Sequence, residues 1–497
     1  GRRTGKNRKK PERKGGGRNM ELMIPLDPHE KRPLYEQIYR HIKAEIRNGN
    51  LRPQMRLPST RQLAEHLKVS RSTTQLAYEQ LVSEGYLEAI PRKGYFPARL
   101  DGLLAPVEAV GEEKEEEELF EGPEGYRTGN SPLVDFSPSG IDLAGFPFST
   151  WRRISRAVLR EEEKGLFLKG DSRGDLSLRE AIRDYLHTAR GVQCSLEQII
   201  VGAGNEYLLM LLSQLLGRET GIAMENPTYR QAYRVLSAMG HPVIPVGMDR
   251  SGLLVQELSR LHAGAAYVMP SHQFPMGIVM PVRRRQELLS WAEAQPERYL
   301  IEDDYDSEFR YKGKPVPALQ GMDRSQRVVY MGTFSKAIAP AIRVGYLVLP
   351  QKLLEKYEKS ARFYSSTVSR VDQKILSQFI AGGYFERHLN RMRERYKGKH
   401  DLLLSLLKPL ERQFEILGEY AGLHVLIRAR GPWPEHELTA AAEEAGLRVY
   451  GLSGFYMKRE ECTGRGTILL GYGGLQENEI RTGAGLLVQA LLKTAGE

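Results

Sequence analysis

Thr333-Phe-Ser-Lys-Ala-Ile-Ala-Pro340, followed closely by Arg343-Val-Gly345, decides how this chain is read. It stands just after an apolar, β-branched run, Val328-Val-Tyr-Met331. That run predicts a buried strand feeding a tight loop. Lys336 would then ride on the end of a sheet, among small and hydroxyl side chains. An amine held there can be desolvated, kept partly neutral, and so form a Schiff base with a carbonyl. Most loop lysines are solvated charges, so the rest of the chain must supply what a carbonyl cofactor needs.

The flanking sequence repeats the strand-into-loop pattern. Ile199-Ile-Val201 leads into Gly202-Ala-Gly204-Asn205 and an apolar helix, Tyr207 to Leu216. Gly221-Ile-Ala-Met224 leads into Asn226-Pro-Thr-Tyr229, and Ala265-Ala-Tyr-Val-Met269 into Pro270-Ser-His-Gln-Phe-Pro-Met-Gly277. Tyr299-Leu-Ile301 leads into Glu302-Asp-Asp-Tyr305. Such β-α alternation from about 134 onward predicts a mostly parallel sheet with sites at its strand ends. A last portion, roughly 390–497, reads as a smaller α/β lobe with a long helix from Arg391 to Leu407. No internal repeat and no CxxC or HExxH pattern is present, so no metal site is expected.

Each loop offers something to a phosphorylated aldehyde. Gly204 and Asn205 open a helix, where backbone N–H groups cradle an anion. A Gly-rich turn alone is more often only a turn. Asp303 ends a buried strand and needs a cation. A protonated pyridine nitrogen would serve, and so would a structural arginine. Tyr229 and Tyr305 suit a ring face and a ring oxygen, although single tyrosines are more often core. Gln273 could touch the ring oxygen, while His272 reads as structural. Thr333, Ser335 and Arg343 are donors suited to phosphate.

A separate pattern precedes all this. Leu34, Ile38, Ile42 and Ile46 recur every four residues, a helical face over 33–49. Ser59 and Gln62 form a capping box for a second helix, to about Leu67. Ser70 caps a third, Arg71 to Ser83, with Leu76, Ala77, Leu81 and Val82 as its apolar side. Gly85-Tyr-Leu-Glu-Ala-Ile90, Pro91-Arg-Lys-Gly94 and Tyr95-Phe96 read as a hairpin with a basic tip. Three helices and such a hairpin make a winged helix-turn-helix. Its third helix would bring Ser70, Arg71, Ser72, Thr73 and Thr74 to base edges. Arg61, Arg92, Lys93 and Gly94 would meet phosphates or the minor groove. A plain three-helix interaction domain is the bland alternative.

The charge is misleading. Of the +10 total, residues 1–19 carry nine Lys/Arg and one Glu, or +8, which leaves about +2 for the rest. The motif, and not the pI, must carry any nucleic-acid argument. Residues 1–19 are expected to be a disordered basic tail, non-native if Met20 is the true start. Residues 20–98 form the head, and 99–133, with the run Glu112-Glu-Lys-Glu-Glu-Glu-Glu118, an acidic flexible linker. Apolar content of 41% and charged content of 27% are ordinary for a globular protein. No apolar stretch has membrane-spanning length. Two cysteines, Cys194 and Cys462, make no disulfide framework, which points to a reducing cytoplasm.

Two resemblances follow. Leu-Pro-Ser-x-Arg-x-Leu-Ala, Val-Ser-Arg-x-Thr-Thr and Gly-Tyr-Leu…Lys-Gly-Tyr occur in one order, so 33–98 resembles the DNA-binding domain of GntR-type bacterial regulators. The Gly-rich turn, Tyr229, Asp-x-Tyr, Ser-Lys and downstream Arg make 134–497 resemble fold-type I pyridoxal-phosphate aminotransferases. Together they resemble the MocR/GabR subgroup of transcriptional regulators. The resemblance implies Lys336 as the Schiff-base lysine, Asp303 on the pyridine nitrogen, Tyr305 at the ring hydroxyl and Tyr229 on the ring face. Gly204, Asn205, Ser335 and Arg343 would hold the phosphate. It also implies operator DNA as partner, a head-to-tail homodimer, and an amine or amino-acid-type effector sensed through the Lys336 Schiff base.

One departure stands out. Many aminotransferases carry an arginine in an Arg-Leu-x-Phe-like strand to clamp the substrate α-carboxylate. Here that strand reads Thr467-Ile-Leu-Leu-Gly-Tyr472, with Leu469 at about that place. Arg448, Arg459 and Arg465 are the substitutes the sequence offers. Loss of a bidentate clamp favours sensing over turnover. A working aminotransferase with a DNA-binding appendage and a sensor of pyridoxal phosphate itself are the rival readings.

Overall fold

The computed structural model describes residues 22, 24–27, 32–53, 55–99, 132–311, 316–418 and 422–496. The expected tail, Met20 and the acidic run 112–118 lie outside the described residues. The chain divides into two compact units near residue 127.

In the first unit the fourfold isoleucine spacing makes helix α1, Leu34–Arg47, with Ile38, Ile42 and Ile46 buried. Helix α2, Thr60–Leu67, starts at the expected capping box, with Gln62 N–H donating to Ser59 Oγ at 3.2 Å. Helix α3, Arg71–Ser83, is capped by Ser70. The wing is an antiparallel hairpin, β1 (Leu87–Ile90) against β2 (Gly94–Pro97). Isoleucines of α1, Leu63 of α2 and Ala77, Tyr78 and Leu81 of α3 share one core. Burying each large side chain there contributes about 1.5–3 kcal/mol.

The second unit is built on a seven-stranded sheet. Its strands follow β3 (Val134–Asp135) in sequence: β4 (Ile199–Gly202), β5 (Ile222–Glu225) and β6 (Val243–Val246). A short hairpin, β7 (Met248–Asp249) and β8 (Gly252–Leu253), intervenes, and then come β9 (Ala265–Val268), β10 (Tyr299–Asp304), β11 (Val328–Thr333) and β12 (Gly345–Val348). The spatial order is β4-β12-β11-β10-β9-β5-β6. Only β12 runs against its neighbours β11 and β4. The other six are parallel, so their C-terminal ends share one edge, and reversed β12 begins at that edge. Five strands are buried at every residue, as continuous apolar runs between helical layers require.

A four-stranded antiparallel sheet forms the smaller lobe. It takes β13 (Phe414–Leu417), β14 (His424–Ala429), β16 (Tyr450–Gly451) and β17 (Thr467–Gly471), in the order β13-β14-β17-β16. Between them, β15 (Leu447–Arg448) pairs in parallel with β3. The lobe therefore also recruits residues 134–136, with Phe136 fully buried in its core beside Leu470 and Leu487. The long helix spans Tyr384–Leu407 and starts earlier than Arg391, because Phe385, His388 and Leu389 bury one more turn. No helix among the described residues is long and apolar enough to cross a membrane.

Candidate functional site

The head presents the N-terminus of α3. Ser70 Oγ accepts from Thr73 N–H at 3.2 Å and lies 2.7 Å from both Ser72 Oγ and Thr73 Oγ1. Arg71 and Ser72 are exposed and Thr73 is half-buried. Thr74 corrects the expectation. It is fully buried, and its hydroxyl donates to Thr60 O at 2.8 Å and Arg71 O at 3.0 Å, so it faces the core and not a base. The buried face of α3 is Thr74, Ala77, Tyr78 and Leu81, spaced i, i+3, i+4, i+7. Leu76, read as apolar core, is instead 52% exposed, and Val82 is only half-buried. Exposed Gln75 and Glu79 share the outward face. Arg61 is exposed in a solvated pair with Glu65 at 3.0 Å. Arg92 and Lys93 are exposed at the wing tip. Gly94 has φ +109°, and a Cβ there would meet Arg56 Nε at 3.0 Å, so the tip needs glycine.

In the second unit the site assembles at the shared edge of the sheet. Asp303 sits near the end of β10 with 2% exposure. The Tyr267 hydroxyl, from neighbouring β9, donates to its Oδ2. Its Oδ1 is buried without a hydrogen-bond partner among the described residues. Burial pushes the carboxyl pKa up to about 7; the Tyr267 bond opposes the rise, and Asp304 and Asp306 add to it. Lys336, half-buried in the loop after β11, donates to Pro138 O and Ser139 O, each at 3.1 Å.

Tyr305 and Tyr229 flank the same edge, each partly buried. The Tyr305 oxygen is 3.0 Å from His272 Nδ1, which lies 2.9 Å from Asp306 Oδ2. Burial holds both phenols protonated well above their ordinary range. Gly204 and Arg343 are adjacent: a Cβ on Gly204, at φ +88°, would fall 2.6 Å from Arg343 Nη2. Arg343 precedes reversed β12, which is why a residue so far along the chain meets the turn after β4. It donates to Glu206 Oε2 at 2.8 Å. Asn205 begins the helix Asn205–Leu216, with its Oδ1 buried and unpartnered among the described residues. Thr333 Oγ1 and Ser335 Oγ lie 3.1 Å apart.

Gln273 is the second correction. Its Nε2 donates to Pro227 O at 3.0 Å, and its Oε1 accepts from Met276 N–H at 2.9 Å. Both ends are spent in bracing two loops, so it is not free to hold a ring oxygen. Leu469 is fully buried on β17 among Leu426, Leu452, Met276, Leu417 and Tyr450. Of the arginines offered as a clamp, Arg448 pairs with Asp135 at 3.5 Å, while Arg459 and Arg465 are exposed.

Sequence reasoning missed Tyr267, Asp306 and the carbonyls of Pro138 and Ser139. A tyrosine in an all-buried strand was the available signal, since its hydroxyl needs a partner. Backbone carbonyls leave no trace in a sequence.

The residues fit pyridoxal phosphate on their own chemistry. A buried carboxylate oxygen without a donor suits a ring N–H. The turn at Gly204 leaves no room for a Cβ beside the Arg343 guanidinium. The first turn of the following helix points N–H groups to the same place, and an amine stands on the next loop.

Residues 143–468 match the family "Aminotransferase class I and II", and residues 34–96 match "Bacterial regulatory proteins, gntR family". The chain is 38% identical over 465 residues to the HTH-type transcriptional regulator YhdI of Bacillus subtilis, covering 93% of this chain and 97% of that one. It is 33% identical over 482 residues to the probable rhizopine catabolism regulatory protein MocR of Rhizobium meliloti, covering 95% and 96%. It is also 33% identical over 461 residues to the pyridoxine biosynthesis transcriptional regulator PdxR of Corynebacterium glutamicum, covering 93% and 96%. The multiple substrate aminotransferase of Thermococcus profundus shares the fold, with TM-score 0.66 and 24% identity over 74% of this chain and 93% of that one. The larger unit is thus a pyridoxal-phosphate-binding aminotransferase-like domain, and the N-terminal unit is a DNA-binding head. On its match to both families and to full-length relatives, the chain belongs to the MocR/GabR subgroup of GntR-type transcriptional regulators.

Proposed function

We propose that the protein regulates transcription by sensing a primary amine at Lys336 and changing the grip of its winged head on operator DNA. The observation that carries this is Leu469, buried in an apolar cluster at the place where a substrate-carboxylate clamp is expected. Such a site captures an amine and lacks the anchor that orients an α-amino acid for turnover.

Pyridoxal phosphate, when bound, supplies an aldehyde carbon open to amines and an electron-withdrawing ring. Lys336 Nζ would be the resident amine, and the group that an incoming effector would displace. Asp303 Oδ1 would accept the ring N–H, Tyr229 would cover one ring face, and Tyr305 would offer its hydroxyl to the ring oxygen. Gly204, Asn205, Thr333, Ser335 and Arg343 would hold the phosphate. Arg343 would then exchange Glu206 for a dianion, a stronger partner. On DNA, Arg71, Ser72 and Thr73 with capping Ser70 read base edges, and Arg61, Arg92 and Lys93 meet phosphates. Residues 20–98 and 134–497 are the two working domains, joined through 99–133, in a head-to-tail homodimer.

A second reading has one observation behind it. A relative at 33% identity is named for regulation of pyridoxine biosynthesis, so the cofactor itself is a candidate signal. Operator binding should then change on adding pyridoxal phosphate alone.

Lys336→Ala tests the first reading. The variant should lose the visible absorption band of the bound cofactor and the response of DNA binding to amines, while keeping its affinity for operator. Retention of both band and response would sink the proposal.

A further inference from the structure

Three successive acids end β10, and they are not equivalent. Glu302 accepts the backbone N–H groups of Leu319 and Gln320, each at 2.8 Å. Asp304 is paired with the buried Arg190 guanidinium at 2.8 Å and also accepts from the Tyr330 hydroxyl. Asp303 between them has, among the described residues, a single partner, the Tyr267 hydroxyl, on Oδ2.

We infer that Tyr267 is a positioning residue for the cofactor: its hydroxyl holds Asp303 Oδ2, so that Oδ1 alone is presented to the ring nitrogen of pyridoxal phosphate. This rests on the role proposed above for Asp303. The sheet register explains the contact. Tyr267 is directly opposite Ile301, and Asp303 lies two residues further on the same face. That diagonal separation is within reach of a tyrosine. The rest of the Tyr267 ring is packed in the core with Ile301 and Met331, so the hydroxyl is carried on a fixed arm.

The choice of tyrosine has a chemical consequence. A cation on Oδ2 would neutralise Asp303, as Arg190 does Asp304, and leave little charge for a ring N–H. A neutral hydroxyl orients the carboxylate without cancelling it. Burial and the adjacent Asp303 carboxylate keep the phenol protonated, so it stays a donor. The other titratable groups facing the pair are Glu225, Tyr229, Asp304, Tyr305 and Asp306. Among the described residues, Tyr267 favours the charged form of Asp303, and burial and the two neighbouring aspartates oppose it.

Pyridoxamine 5'-phosphate is the probe, because it carries the ring and phosphate but no aldehyde and binds without bonding Lys336. Full-length Tyr267→Phe should bind it about tenfold or more weakly at pH 6.5, as expected for loss of a hydrogen bond to a charged group. The ratio to wild type should shrink toward one at pH 9. There the carboxylate of the unliganded variant is already ionised, and it bears the same loss before and after binding. In an Asp303→Asn background, Tyr267→Phe should change nothing further. This comparison also serves if the single variant folds poorly, since the asparagine removes the buried charge. A Tyr267→Phe loss that is uniform across pH, or equal in the Asp303→Asn background, overturns the inference and marks a packing effect. If Asp303→Asn weakens the probe and Tyr267→Phe does not, this inference alone falls. If Asp303→Asn binds like wild type, the role of Asp303 falls with it.

Discussion

Ionising Asp303 is expensive until a cation meets it. In cofactor-free protein its folded pKa is raised to about 7, against an ordinary value near 3.8. Its contribution to stability is therefore full below pH 3.8 and is lost as pH rises through 7. Between pH 5 and pH 8 that loss amounts to about 2–3 kcal/mol. Asp303→Asn does not titrate, so its stability should fall less over this interval. Urea denaturation of cofactor-free wild type and variant at the two pH values measures the difference. Equal slopes would mean that Asp303 is not buried as a lone acid. The placement of Lys336, Asp303, Tyr229 and Tyr305 at strand ends is legible because each follows an apolar run that names its own strand end. Gln273 was misread because an amide in a loop shows no sign of which carbonyls it will meet, and Pro227 and Met276 take both its ends. Tyr267 was passed over because its partner is on another strand, a relation set by register and not by spacing.

Helix α3 separates reading from packing more sharply than its sequence suggests. Ser-Arg-Ser-Thr-Thr reads as one polar run, yet the helical turn sends Thr74 inward while Arg71 and Ser72 stay outside. Thr74→Val keeps the shape and removes a hydroxyl bonded to two carbonyls, so the head should lose about 1–2 kcal/mol of stability with unchanged base preference. Arg71→Ala should do the reverse, costing about 1–3 kcal/mol of operator affinity and relaxing preference at its base while the melting temperature holds. Thermal melts paired with fluorescence anisotropy on operator variants distinguish the two. A shift in base preference with Thr74→Val would reverse the assignment. Capped starts were readable here, Ser59 with Gln62 and Ser70 with Thr73, because a cap is a local device. Ser59→Ala should cost about 1 kcal/mol in the same melts. Leu76 is apolar yet faces outward, because helical periodicity and not residue type sets burial here, and Tyr78 holds the core position instead. β3 escaped notice because two residues carry no period, and its pairing with β15 joins positions far apart in the chain.

At the scale of the whole molecule, alternation of strands and helices was readable and strand order was not. Reversed β12 is what carries Arg343 to the Gly204 turn, and nothing local to Gly345–Val348 announces the reversal. The same gap separates one head from a working regulator. A single α3 offers few outward side chains to bases, chiefly Arg71, Ser72 and Gln75. Each good contact discriminates by only about 1–3 kcal/mol, which is too little to select one operator from a genome. In the proposed dimer, two heads would bind two half-sites at high effective concentration, a gain of about 10²–10⁴ over one. If an amine acts by moving the heads and not by altering either one, it should change the affinity for a duplex with two half-sites and leave that for an isolated half-site untouched. Anisotropy titrations of both duplexes at one fixed salt concentration, across a panel of primary amines, measure this. An amine that changes both affinities equally would place the switch inside the head, where Lys336 cannot act by capture alone.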